Sequence, residues 1–316
     1  MNRRKLIGMA LGALAAAGGA MSASAADWPK GPIQVVVSFG AGGDTDYNAR
    51  ILSKYLEPIL GVSMPVVNIT GAGGTVGARQ VLRAKPDGQT VLFFNTSFLA
   101  STATGMIDFS FKDFDLVGIA AEEPGTLIVV PASAPWKSMK DLIEATKKNP
   151  GTINVTTNTG ATTYMVASEL NQKAGAKFNF VDVGGAAGRL TAVLGGNVDV
   201  SQNPIGQVLP YIKKGELRAL ATLGRQRTDI LPDVPTLTEL GYDVNLQLEY
   251  FYLFPKGTPK STIEKFAGAL QQVVEKNPEY AEQIYKAYYQ KPHWVSPEPA
   301  RARLEALAGE MQKISF

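Results

Sequence analysis

The sequence predicts an α/β fold: mostly parallel sheets in two lobes, with a ligand cleft between them. Short runs of β-branched residues alternate with segments of helical periodicity along most of the chain. Two glycine-rich turns each sit between such a run and a helix, and a third polar turn of the same kind follows at residues 158–163. Alternating strands and helices call for parallel sheets with covered faces. In open sheets of that kind ligands bind beyond the carboxyl ends of the strands, where all three turns fall.

Residues 33–39 form an apolar run read as a buried strand. Residues 46–60 read as a helix, because Ile51, Leu52, Tyr55, Leu56, Ile59 and Leu60 recur at helical spacing and Gly61 follows. Thr45 or Asp46 is placed to cap it, since a short side-chain oxygen accepts from free first-turn N–H groups. A shorter helix over 76–84 is stopped by Lys85-Pro86-Asp87-Gly88, and 90–95 is another strand. Further strands are expected at 126–130, 154–156, 178–183, 198–202 and 217–223, with helices at 138–148, 164–174 and 187–194. The tail from 261 to 314 is mainly helical, and Tyr250-Phe251-Tyr252 reads as core.

Arg3, Arg4 and Lys5 precede an apolar run and the small-residue pattern Ala23-Ser24-Ala25, which together read as a secretory signal peptide over residues 1–25. Cleavage is expected after Ala25, with Ala26 as the next choice. Arg3-Arg4 also fits a twin-arginine signal loosely, so the export route stays open. The chain has no cysteine, which excludes disulfides, thiolate metal sites and a lipid-modified N-terminal cysteine. The mature chain is therefore expected to be soluble and unanchored in the periplasm. Its 31 basic and 28 acidic residues become 28 against 28 once the leader is removed. A neutral chain lacks the electrostatic footprint of a nucleic-acid binder, so that partner is set aside.

The first glycine turn runs Phe39-Gly40-Ala41-Gly42-Gly43-Asp44-Thr45-Asp46, and the second lies within Asn68 to Gly77. Such turns let backbone N–H groups approach an anion, and the helix start adds partial positive charge. Neither continues as a P-loop or a dinucleotide fingerprint. Candidate ligand contacts in the turns are Phe39, Gly42, Gly43, Thr45 and Asp46, then Gly73, Gly74 and Thr75. Asp46 is expected to shape its loop more than to touch an anion. Asn95, Thr96 and Ser97 follow a strand and either line the cleft or form an ordinary polar loop. Gly160, Ala161, Thr162 and Thr163 offer donors at another helix start, for the distal end of the ligand. Asp182 and Asn203 sit at further strand ends, where they read a polar substituent or close a turn. Arg189 is able to approach a carboxylate, but its place within a helix favours a solvated face. His293 is the only histidine, with no metal set and no serine–histidine constellation around it, so no cofactor, metal or catalytic residue is expected.

The first turn, with Asn48-Ala49-Arg50 behind it, resembles the first signature of the periplasmic solute receptors of tripartite tricarboxylate transporters. The second turn, Lys85-Pro86-Asp87-Gly88, Gly195-Gly196-Asn197-Val198-Asp199, Leu231-Pro232-Asp233-Val234-Pro235-Thr236 and Pro255-Lys256-Gly257-Thr258-Pro259 follow in the family's order. The resemblance covers essentially the whole mature chain. It implies a two-lobed periplasmic binding protein of type II-like architecture that closes on its ligand without catalysis. Residues 26–126 plus 230–316 are expected to form lobe 1, and 127–229 lobe 2. In the family the two glycine turns hold one carboxylate through backbone N–H groups and waters, and the opposite lobe reads the rest. The implied partners are a small organic carboxylate, a dicarboxylate first, and the membrane subunits of the transporter, with the receptor a monomer. Gly40-Ala41 stands where the family usually has Pro-Pro, and Asp44 where glycine is frequent. Asp182-Val183 replaces a familiar Tyr-Lys, and Tyr250 or Phe251 the usual Trp. Two other functions stay open: a sensor subunit signalling to a membrane kinase and, on weaker grounds, an extracellular hydrolase.

Overall fold

The computed structural model describes residues 28–314, so the expected signal peptide lies outside the described residues. Strand β1 (Gln34–Val37) is a valine run, and helix α1 (Asp44–Leu60) follows the first glycine turn. Gly61 ends α1 at φ 72°, and its N–H donates to the Glu57 carbonyl at 2.8 Å. That left-handed stop is open to a residue without Cβ. Strand β2 (Val66–Asn68), helix α2 (Thr75–Leu82), strand β3 (Thr90–Asn95), helix α3 (Ser97–Ala103) and strand β4 (Phe114–Glu122) come next.

The chain then crosses to a second sheet. It runs through β5 (Thr126–Pro131), α4 (Met139–Lys148), β6 (Asn154–Thr157), α5 (Thr162–Lys173) and β7 (Asn179–Asp182). The helix α6 (Ala186–Leu194), β8 (Ser201–Pro204), α7 (Ile205–Lys213) and β9 (Leu217–Thr222) complete that half. Strand β10 (Glu249–Pro255) returns to the first sheet, and α8 (Lys260–Lys276), α9 (Pro278–Tyr288) and α10 (Pro297–Met311) follow it.

The first sheet has the order β2-β1-β3-β10-β4, with β10 antiparallel to both neighbours. In the second, β5 lies antiparallel between β8 and β9, and the parallel pair β6–β7 joins β8 through a bridge between Val155 and Val200. The resulting order, β7-β6-β8-β5-β9, repeats the plan of the first sheet. In each, the one antiparallel strand is the strand that arrives from the other half.

Both faces of each sheet are covered, as the expected fold requires. Val35, Val37, Phe93, Tyr250 and Tyr252 pack under α1, α8 and α9, while Val36, Phe94 and Phe251 pack under α3 and α10. Ile128, Val130 and Val155 meet α4 and α5, and Leu127 and Val129 meet α6 and α7. Tyr250, Phe251 and Tyr252 are all fully buried. Residues 230–246 lie against the second sheet: Leu237, Val244 and Leu246 are buried with Ile128, and the Leu246 N–H donates to the Leu223 carbonyl at 2.7 Å. The sequence reading had joined this segment to lobe 1.

Candidate functional site

Residues just beyond the carboxyl ends of β1 (Phe39), β3 (Ser97), β6 (Asn158) and β7 (Gly185) line one cavity of about 30 Å³ between the two sheets. That is room for only a few water molecules. The walls touch around it. Ser97 Oγ and Thr162 Oγ1 are 3.0 Å apart across the lobes, and Gln207 Nε2 donates to the Gly42 carbonyl at 3.4 Å. A Cβ on Gly73, whose φ is 66°, would stand 2.6 Å from the Thr159 carbonyl oxygen, so this glycine permits the lobes to meet.

The lobe 1 wall starts at α1. Gly43 is its N-cap and no side chain caps it, so Asp44, Thr45 and Asp46 are the first residues of the helix. This corrects the expectation that Thr45 or Asp46 precedes the helix as its cap. Phe39, Asp44 and Thr45 line the cavity. Asp44 is 6% exposed, and its Oδ2 accepts from the Tyr250 hydroxyl at 2.6 Å and from Thr45 Oγ1 at 3.4 Å. Asn95 Nδ2 donates to Thr45 Oγ1 at 2.9 Å, while Asn95 Oδ1 accepts from the Ser97 N–H at 2.9 Å. Behind Tyr250 lies Glu123, whose acidity burial weakens well beyond the usual carboxyl range, with Asp44 adding to the effect. Its protonated form is thereby favoured.

Several residues named from the glycine turns build this wall without lining the cavity. Asp46 accepts from the Gly42 N–H at 3.0 Å, from Asn68 Nδ2 at 2.8 Å and from Arg50. Burial works to raise its pKa, but those bonds hold it below the ordinary value. Gly42 takes φ 80° to make the turn. Gly74, at φ 94°, lies where a Cβ would meet Phe94 at 2.7 Å. Thr75 Oγ1 donates to the Ala72 carbonyl at 2.7 Å, and Thr96 Oγ1 accepts from the Glu249 N–H at 2.8 Å.

The lobe 2 wall combines Asn158, Ala161, Thr162 and Thr163 at the start of α5 with Gly185, Ala186 and Arg189 at the start of α6. Thr163 Oγ1 accepts from the Asn158 N–H at 3.0 Å, which closes the turn before α5. Gly160 bends that turn at φ 76° and packs on Met106. Asp182 takes the turn-closing role: its carboxylate accepts from Thr159 N–H at 2.9 Å, Thr159 Oγ1 at 2.6 Å and Gly184 N–H at 3.0 Å. Asn203 Nδ2 donates to the Ala186 carbonyl at 2.8 Å and so steadies α6.

Arg189 does not lie on a solvated face, contrary to the sequence reading. It is 8% exposed, and α6 lays it across β8 toward the cavity. Its Nε donates to the Gln202 carbonyl at 2.7 Å and Nη1 to the Gly184 carbonyl at 3.1 Å. Burial brings its pKa down to about 10, with Asp44, Tyr250 and Asp182 working in the other direction, so it stays charged at neutral pH. Sequence periodicity could not find it, because α6 is short and only packing against β8 decides which face is inward.

The crossovers hold a second, larger cavity of about 810 Å³, shared by residues 122–126, 224–230 and 246–248. Leu248 borders both cavities. The basic side chains at its rim are paired: Arg225 with Glu310, Arg227 with Glu239 and Lys291 with Asp229. Here His293, left without companions by the sequence, comes together with Glu122 and Glu249, their ligand atoms within 4.8 Å of one another. His293 Nδ1 is 3.4 Å from Glu122 Oε2. Arg303 pairs with both carboxylates and already supplies positive charge there. Burial pushes Glu249 up to about 7, against the pull of Arg303.

Two lobes of matching topology, joined by two crossovers and closed on a small polar cavity, define a two-lobed solute-binding protein. The model of the tripartite tricarboxylate transporter family receptor matches residues 48–294, and the chain belongs to that family. A Cupriavidus necator protein named "UPF0065 protein in gbd 5'region" is 32% identical over 294 residues, covering 92% of this chain and 88% of that one. The structure of the periplasmic binding protein BugD is similar with a TM-score of 0.83 at 28% identity, over 90% of this chain and 97% of that chain. MatC from Rhodopseudomonas palustris, solved with bound malate, shares the fold at a TM-score of 0.82 and 22% identity, over 91% of this chain and 99% of that chain. Among the described residues, no helix is long and apolar enough to cross a membrane.

Proposed function

We propose that this chain captures a small organic carboxylate in the periplasm and presents it, as a monomer, to the membrane subunits of a tripartite tricarboxylate transporter. One observation carries the reading: the starts of α5 and α6 and the buried Arg189 converge on the cavity between the lobes. Helix starts carry unpaired N–H groups and partial positive charge, and a guanidinium matches a carboxylate in a bidentate fork. Small dicarboxylates head the candidates, in keeping with the malate bound by MatC. The ligand contacts we assign are Phe39, Thr45, Asn95, Ser97, Ala161, Thr162 and Thr163 from the sequence reading, joined by Asp44 and Arg189. Residues 123–125 and 246–248 serve as the crossovers about which the lobes part, which moves the second boundary from 230 to about 247. Binding without catalysis fits a cavity set apart from His293, the sole histidine.

A cavity of about 30 Å³ admits a dicarboxylate only if the lobes separate first. Small-angle scattering of ligand-stripped protein should therefore show a radius of gyration that shrinks on saturation with a bound acid. Saturating ligand at a hundred times Kd should add about 2.7 kcal/mol of stability, read as a higher Tm. A panel of mono-, di- and tricarboxylates that leaves both Tm and scattering unchanged would sink the proposal.

A further inference from the structure

Resting on the carboxylate-receptor reading, we propose that the ligand of this cleft is an amino carboxylate, whose ammonium is held by Asp44 and whose carboxylate is held by Arg189 and the starts of α5 and α6. Asp44 and Arg189 are the only charged side chains among the described residues on the cavity wall. They stand on opposite lobes and are both more than nine-tenths buried. Asp44 acts electrostatically on the Arg189 guanidinium across the cavity, but no ion pair within 4.0 Å joins them, so each keeps a face for a ligand. Both side-chain bonds to the Asp44 carboxylate fall on Oδ2, leaving Oδ1 as a free acceptor. Both bonds from Arg189 use Nε and Nη1, leaving Nη2 as a free donor.

The helix starts repeat this polarity. α1 begins with Asp44 and Asp46 in its first turn, so the anion that its N-terminus favours is already part of the chain. α5 and α6 have no acidic residue in their first turns, and their unpaired N–H groups remain open to an incoming anion. An amine-free acid spanning the cavity would set an anion or an unpaired polar group against Asp44 Oδ1. A zwitterion presents opposite charges to the two walls and satisfies both.

The test compares ligand-stripped protein, by calorimetry, with matched pairs that differ by an amine: L-alanine against propionate, L-aspartate against succinate, L-glutamate against glutarate. The amino member of the best-bound pair should bind at least about 30-fold tighter than its partner, the scale set by a buried charge pair. In Asp44→Asn the preference should fall to within about 3-fold, with affinity for the amine-free acid equal or higher. If wild-type protein binds an amine-free member as well as its amino partner, the inference fails while the receptor reading stands. If folded protein binds none of these and no other carboxylate, the receptor reading itself fails. The wild-type comparison decides the matter even where Asp44→Asn does not fold.

Discussion

The two lobes are built on one plan and present opposite charge to the space between them. Each carries five strands in the same order, with the antiparallel strand supplied by the crossing chain. Yet the helix that opens lobe 1 starts with two aspartates, and the helices that open lobe 2 start with threonine and alanine and place Arg189 one turn later. Strand order decides where a helix N-terminus points. The first-turn side chains decide whether that terminus offers its positive end or cancels it. A shared topology thus leaves ligand polarity to a few positions at helix starts.

That contrast is most easily broken at Arg189. Arg189→Met should weaken carboxylate binding by about 2–5 kcal/mol, because it removes a buried charge facing the ligand. Calorimetry reads the loss, and Arg189→Lys, which keeps the charge without the fork, should recover part of it. A Met variant with unchanged affinity would remove lobe 2 as the anion wall.

The next effect tests whether the walls must meet. Gly73→Ala places a Cβ against the Thr159 carbonyl across the lobes, and should weaken binding by about 1–3 kcal/mol, as overpacking does. Scattering should show the variant remaining expanded with ligand. Gly42→Ala is the control: it has a similar positive φ, but nothing lies within 4 Å of its Cβ position, so it carries backbone strain without the clash. Equal behaviour of the two variants would assign the loss to strain rather than to closure.

The smallest effect sharpens the comparison at one bond. Ser97→Ala removes the hydroxyl that meets Thr162 at 3.0 Å across the cleft, and should weaken closure and ligand affinity by about 0.5–1.5 kcal/mol. Thermal stability of the ligand-free chain should move less than the Kd. The reverse order would make the bond part of the fold rather than of the closed form.

Much of this architecture was legible in residue order. The alternation of valine-rich runs and amphipathic segments places β1, α1, β3, β5 and the parallel strands of lobe 2 within a few residues. Strands β2, β4 and β10 and helices α3 and α7 escape that reading. β4 and β10 are buried on both faces and show no alternation, and Pro210 interrupts α7. Residues 230–246 have apolar positions that follow no period, and only their burial with Ile128 shows which core they serve. The family signatures were also open to sequence, since they are local strings whose order survives without coordinates.

What the chain order determined, then, is local: which segments become helices or strands, where glycine permits a turn, and that polar turns follow strands. Tertiary packing alone decided which of those turns reach the cavity. Gly73 and Gly74 allow close approach of the other lobe and of Phe94, a packing role that residue order alone does not show. Asp182 and Asn203 hold turns and helix starts in place, while Arg189, expected in water, is buried at the center. The physical reason is that the cavity is formed by residues far apart in sequence, and burial depends on the face a helix turns toward its sheet.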